Sequence, residues 1–183
     1  MNAVRLIKIL TISSCFILSQ NTVNAAKTTV PDFSKPQTVI KDSQKELSKA
    51  IAANNSPEIV ASLINLTLAK SAIDNDSIQS SLNLISEVEA SKNNDPVLQS
   101  VLDMMKADIY SSIYNRNRWV YNSRELPLKP LNQDLFQWSG KQFGYVIDSL
   151  IIKSLSNHNQ LASTPINDFL PVIYWGGCKL VMV

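Results

Sequence analysis

The chain is poor in the residues from which catalytic and metal centres are built. It has one histidine (His158), two cysteines (Cys15 and Cys178) and only 4 glycines in 183 residues. So few glycines leave no phosphate-cradling loop, and no Gly-x-Ser-x-Gly elbow occurs. His158 stands in Asn157-His158-Asn159, a polar cluster that reads as a helix-ending loop rather than a ligand or base. Cys178 has no second thiol nearby, and a Pro-containing segment separates it from His158, so a Cys–His dyad is not expected. Glu87 and Glu89 are two apart, a separation that puts them on different helix faces, and they read as solvated side chains. Asp74-Asn75-Asp76 lacks the later Gly and Glu of a calcium loop and reads as a turn between helices. Asn54, Asn65 and Asn75 each open an Asn-x-Ser/Thr triplet, which an Asn- and Ser-rich chain produces by chance. The expectation is a non-enzymatic protein with no metal and no cofactor.

Long hydrophobic runs are also missing, with one short exception at the start. Arg5 and Lys8 precede an apolar run from Ile9 to Ser19, and Val23-Asn24-Ala25 then offers a small-residue cleavage pattern. That order is the mark of a secretory signal peptide over residues 1–25. The run is about half the ~20 residues a membrane-spanning helix needs. Ile12-Ser13-Ser14-Cys15 also fits a lipoprotein signal, so lipidation at Cys15 stays open as the second route, behind cleavage near Ala25. Removing residues 1–25 takes away Arg5 and Lys8 and no acid, leaving 15 basic and 15 acidic side chains. A neutral mature chain carries no basic face for nucleic acid. Its single remaining thiol, Cys178, allows no internal disulfide. The expected location is the periplasm or cell envelope.

What the chain does have is helical periodicity. A polar linker over 26–35 leads into a first helix over Pro36–Ala53, with Ile40, Leu47 and Ile51 on one stripe. Asn54-Asn55-Ser56-Pro57 ends it and opens a second helix to about Ile73, with Ser56 as N-cap and Pro57 in the first turn. Ile59, Leu63 and Leu66 face one way, with Val60, Ile64 and Thr67 beside them. A third helix carries Ile78, Leu82, Ile85 and Val88. Asp95-Pro96 caps a fourth that runs to about Tyr114 through Leu98, Val101, Leu102, Met105, Ile109 and Ile113. Short connections make consecutive helices antiparallel. A fifth helix is expected over Asp134–Asn157, and Thr164-Pro165 would cap a last one ending near Pro171. The fold class is all-α, with antiparallel helical hairpins stacked as a bundle or short helical-repeat array. The helical domain spans 36–173, and 174–183 reads as an irregular tail, Gly176-Gly177 followed by apolar residues, of a chain cut short or shifted in frame.

Between the fourth and fifth helices, residues 115–133 form a long connection in which Pro127 and Pro130 favour an extended path. It holds the densest set of recognition-type residues, Arg116, Arg118, Trp119, Tyr121 and Arg124. Arg and aromatic side chains are preferred at binding surfaces, and connections often carry function. The simpler reading makes Trp119 and Tyr121 anchors that pin the connection to the core. The five residues are therefore candidates for partner binding, with anchoring the favoured role of the two rings.

Taken together, Lys49-Ala50-Ile51 before the Asn-Asn-Ser-Pro turn, Leu63-Ile64-Asn65-Leu66, Ala107-Asp108-Ile109-Tyr110, Asn117-Arg118-Trp119, Trp138-Ser139, Ser149-Leu150 and the Pro165–Ile173 segment carry a resemblance. Residues 36–173 resemble the N-terminal helical region of the large alpha-2-macroglobulin-like proteins of Bacteroidetes. That family implies envelope protease inhibition, by trapping a protease that cuts a bait region and, in some members, by a Cys-x-x-Gln thioester. Neither a bait region nor the β-sandwich domains are present, and Cys178 in Gly-Gly-Cys-Lys does not match the thioester. The resemblance implies a truncated N-terminal segment serving as a scaffold or docking module. Its partner would be a protein, either the downstream domains or a protease. The alternative is an independent helical-repeat binding protein of the cell envelope. Binding to nucleic acid and a membrane span are not expected.

Overall fold

The computed structural model describes residues 31–74, 77–130, 134–165 and Phe169. The expected signal segment, Cys15, Asn75, Cys178 and the tail from 174 lie outside the described residues. The described residues form seven α-helices and one 3-10 turn, with no strand among them. The fold is all-α. The described residues divide into two compact units, one containing 31–74 and 161–165 and the other containing 77–130 and 134–160.

In the first unit, α1 (Pro36–Ala53) and α2 (Ser56–Ile73) form an antiparallel hairpin. Its turn is made by Asn54, whose φ of 53° places it in the left-handed region. Its N–H donates to Ile51 O at 3.3 Å and that of Asn55 to Ala50 O at 3.0 Å, which closes α1 with a Schellman motif. Asn tolerates this backbone better than other side-chain-bearing residues. The cap of α2 is Asn55 rather than the expected Ser56, its side chain accepting from Glu58 N at 3.3 Å. The buried positions of α1 are Val39, Ser43, Leu47 and Ala50, a stripe at spacings of four, four and three. The stripe is rotated from the expected one, since Ile40 and Ile51 lie at its edge, half-buried. Ala50 and Ala69 are both fully buried, so their faces meet neighbouring groups with little side chain between.

In the second unit, α3 (Ile78–Ser91) and α4 (Pro96–Arg116) form another hairpin. Asp95 caps α4, accepting from Val97 N at 3.1 Å and Leu98 N at 2.9 Å. Gln99 Nε2 reaches back to Glu89 O at 2.8 Å and Lys92 O at 3.1 Å, satisfying carbonyls at the end of α3. Leu98, Val101, Leu102, Met105, Ile109 and Ile113 are buried along α4 as the periodicity requires.

Four expectations for the second half change. The connection after α4 contains a short helix, α5 (Arg118–Asn122), before the Pro-bearing stretch. The expected helix from Asp134 is instead a 3-10 turn over Leu135–Gln137, followed by α6 (Gly140–Ser154). The break has a local cause. Trp138 and Ser139 are extended, and Ser139 forms a reciprocal capping box with Gln142, which fixes the helix start at Gly140. A last helix, α7 (His158–Ser163), lies earlier than the one expected from Thr164, which falls mostly outside the described residues. His158 is exposed and opens that helix instead of lying in a loop.

Candidate functional site

The second unit places the recognition-type residues on and around α5, and their packing starts from Phe143. This residue is wholly buried in the first turn of α6. Tyr121 meets it at 4.7 Å between ring centroids, Trp138 at 5.2 Å and Tyr114 at 5.9 Å, all in tilted geometry. Tyr110 stacks on Trp138 at 5.6 Å and 13°. Edge-to-face and offset contacts of this kind add to the area that the rings bury. Burial raises the phenol pKa of Tyr110; at Tyr121 burial again comes first, outweighing the lowering by Arg124 and by a hydrogen bond from Asn117.

Two further contacts fix α5 to this cluster. Tyr114 Oη donates to Asn122 Oδ1 at 3.0 Å. Gly140 lies against this pair: a Cβ there would come 2.0 Å from Asn122 Oδ1 and 3.3 Å from the Tyr114 ring, so a larger residue would displace the Asn122 side chain from its bond to Tyr114. Arg124 Nη1 donates to the carbonyls of Phe136 and, at 2.9 Å, Trp138, while its guanidinium stands 5.5 Å from the Tyr121 ring centre. Arg124 thus ties the end of α5 to the 3-10 turn.

The five sequence candidates therefore part company. Tyr121 is buried and serves as an anchor, so its side chain is no part of an exposed surface. Arg124 is half-buried and committed to backbone carbonyls. Trp119 is not an anchor: it is 79% exposed. Arg116 and Arg118 are exposed beside it. Further along the same segment Leu126, Leu128 and Phe136 are also exposed, so four of the six exposed large hydrophobic residues among those described lie within this short stretch.

A second cluster was not legible beforehand. Glu89 of α3, Asp103 and Lys106 of α4 and Lys153 of α6 form a closed ring of ion pairs. Lys106 pairs with Glu89 and, at 3.0 Å, with Asp103; Lys153 pairs with Glu89 at 2.6 Å and Asp103 at 3.1 Å. Asp103 and Lys106 are buried. Glu89 is thus no solvated side chain, as its spacing from Glu87 implied, but a joint between three helices. Burial pushes its carboxyl pKa up, and the hydrogen bonds and charges of Lys106 and Lys153 outweigh that and leave it lowered. At Lys153 burial lowers the pKa, and bonds to Glu89 and Asp103 reverse it to a net rise. Two opposite charges on each side leave no net charge to attract a ligand, and the ring reads as structural.

Elsewhere on α4, burial pushes the Asp108 carboxyl up to about 6. Among the described residues, no group of three or more His, Cys, Asp or Glu side chains could hold a metal ion. No helix among them is long and apolar enough to cross a membrane. Comparison with protein-family models, with curated proteins and with solved structures finds no match.

Proposed function

We propose that this chain is a non-catalytic helical module of the cell envelope, a scaffold or docking segment of the kind that alpha-2-macroglobulin-like proteins carry ahead of their β-sandwich domains. The observation that carries the docking part is Trp119. A residue type that normally hides most of its area stands 79% exposed. Meanwhile the turn that bears it is fixed from below by Tyr121, Asn122 and Arg124. Fixing the base and exposing the ring suits non-covalent binding, because little ordering remains to be done when a partner arrives. The family part rests on the ordered sequence features across 36–173. The export part rests on the basic and apolar pattern of the first 25 residues.

The test separates docking from trapping. The purified chain, in molar excess over an endopeptidase, leaves proteolysis of a protein substrate unchanged and incorporates no labelled methylamine. Stoichiometric inhibition, or covalent methylamine incorporation, contradicts the scaffold reading. Mass spectrometry of the exported protein gives a mature N-terminus at Ala26. A diacylated Cys15 would replace cleavage near Ala25 with lipid anchoring.

A further inference from the structure

We propose that the exposed face around α5 docks on an anionic bilayer surface, with Trp119 as its interfacial anchor; this rests on the docking reading above and names what is docked upon. Three observations lead there. The first is the make-up of the exposed apolar groups. Trp119, Leu128 and Phe136 are at least half exposed, and Leu126 is 41% exposed. Trp settles at the boundary between headgroups and acyl chains, where its apolar ring and its indole N–H are both satisfied, and Phe and Leu beside it bury wholly apolar groups in the same layer.

The second is charge. Exposed cations on this segment and the start of α6 are Arg116, Arg118, Lys129 and Lys141, against exposed Glu125 and Asp134. The excess of positive charge is local, because the chain without its first 25 residues has 15 basic and 15 acidic side chains. Lys and Arg held near an anionic leaflet are attracted to it over about a Debye length. Cations interleaved with large apolar groups match such a leaflet on both counts.

The third is placement. Arg124 bonds the Phe136 and Trp138 carbonyls, so the end of α5 and the 3-10 turn are held side by side. Trp119 and Phe136 each precede by two residues a buried ring, Tyr121 and Trp138, and both of those rings pack on Phe143. The two short elements thus use the same pattern, one ring inward on Phe143 and one outward. Insertion of a few side chains from such a base needs no spanning segment.

The experiment is flotation of the purified mature chain, beginning at Ala26, with vesicles of phosphatidylglycerol and phosphatidylethanolamine, alongside vesicles of phosphatidylcholine alone. The chain floats with the anionic vesicles and not with the neutral ones, and salt weakens the association. Its tryptophan emission shifts to the blue on binding. Trp119→Ala and the double variant Arg118→Glu/Lys129→Glu each lower the partition coefficient on the order of tenfold or more. Circular dichroism keeps its helical spectrum in both, because the altered side chains are exposed. Absence of flotation, equal flotation on neutral vesicles, or unchanged binding by both variants overturns the proposal. So does an emission shift produced by soluble polyglutamate and not by vesicles, which assigns the face to an acidic protein partner. None of these outcomes touches the non-trapping scaffold reading, which the protease and methylamine assays test separately.

Discussion

Trp119 and Tyr121 are two residues apart on one helical turn, and 100° per residue puts their side chains about 200° apart. Both cannot face the same core. Tyr121 takes the inward place because Phe143 and Tyr114 receive its ring there, and Trp119 is left outside. The stability effects follow. Trp119→Ala changes unfolding free energy by less than about 0.5 kcal/mol in urea denaturation. Arg124→Ala, although it removes a charge from the same short segment, costs about 1.5–3 kcal/mol, because two backbone carbonyls lose a charged donor. Equal effects from the two substitutions would contradict this division of roles. Asp108 adds a pH-dependent effect. Its carboxyl titrates near 6 when folded and 3.8 when free, so the folded state binds its proton more tightly. Stability from this group is therefore full below about pH 4 and lost as pH rises through about 6. Asp108→Asn raises thermal stability at pH 8 by about 1 kcal/mol, a figure reduced for its partial exposure, and leaves it unchanged at pH 3.5. Stabilisation at both pH values would show that burial of the charge is not the cause.

Among the elements, α4 is the one on which the second unit is assembled, and the ion-pair ring shows how. Asp103 and Lys106 lie one turn apart on α4, so both face the same junction, where Glu89 enters from α3 and Lys153 from α6. Asp103 is the most buried of the four and touches both lysines. Asp103→Ala leaves Lys106 short of a partner in a buried place and costs about 3–5 kcal/mol. Lys153→Met costs about 1 kcal/mol or less, since its side chain is 55% exposed. The pH limits carry opposite signs. Glu89 has a lowered folded pKa, so its contribution is present above about 4.5 and lost as pH falls through the folded value. Lys153 has a raised one, so its contribution is present below about 10.5 and lost as pH rises beyond that. Thermal denaturation of the wild type and of Glu89→Gln across pH 3–5 checks the acid limb, which the variant flattens. An unchanged acid limb in Glu89→Gln would place the acid sensitivity elsewhere.

For the whole molecule, what the sequence reveals depends on how local the cause is. The helices from Pro36 to Arg116 were legible because their evidence lies within a few residues: apolar spacing, Pro in the first turn, Asp95 as a cap. The break before α6 was missed, because the expected helix runs in one piece over Asp134–Asn157, although Ser139 and Gln142 stand at capping-box spacing. The ion-pair ring was invisible, because Glu89 and Lys153 meet only through the packing of α3, α4 and α6. Trp119 was misplaced for a related reason: composition says that a tryptophan belongs in a core, and only the ring cluster around Phe143 shows that the inward place was taken. The display of Trp119 on a fixed base is the claim on which the functional account depends. Its direct test is collisional quenching by acrylamide, comparing the wild type with Trp119→Phe so that the difference belongs to one ring. With Trp119 displayed, the difference component emits at the wavelength of free tryptophan and quenches almost as fast, while the circular dichroism of both proteins stays helical. A blue-shifted component shielded from acrylamide would put Trp119 in the core and remove the proposed docking face.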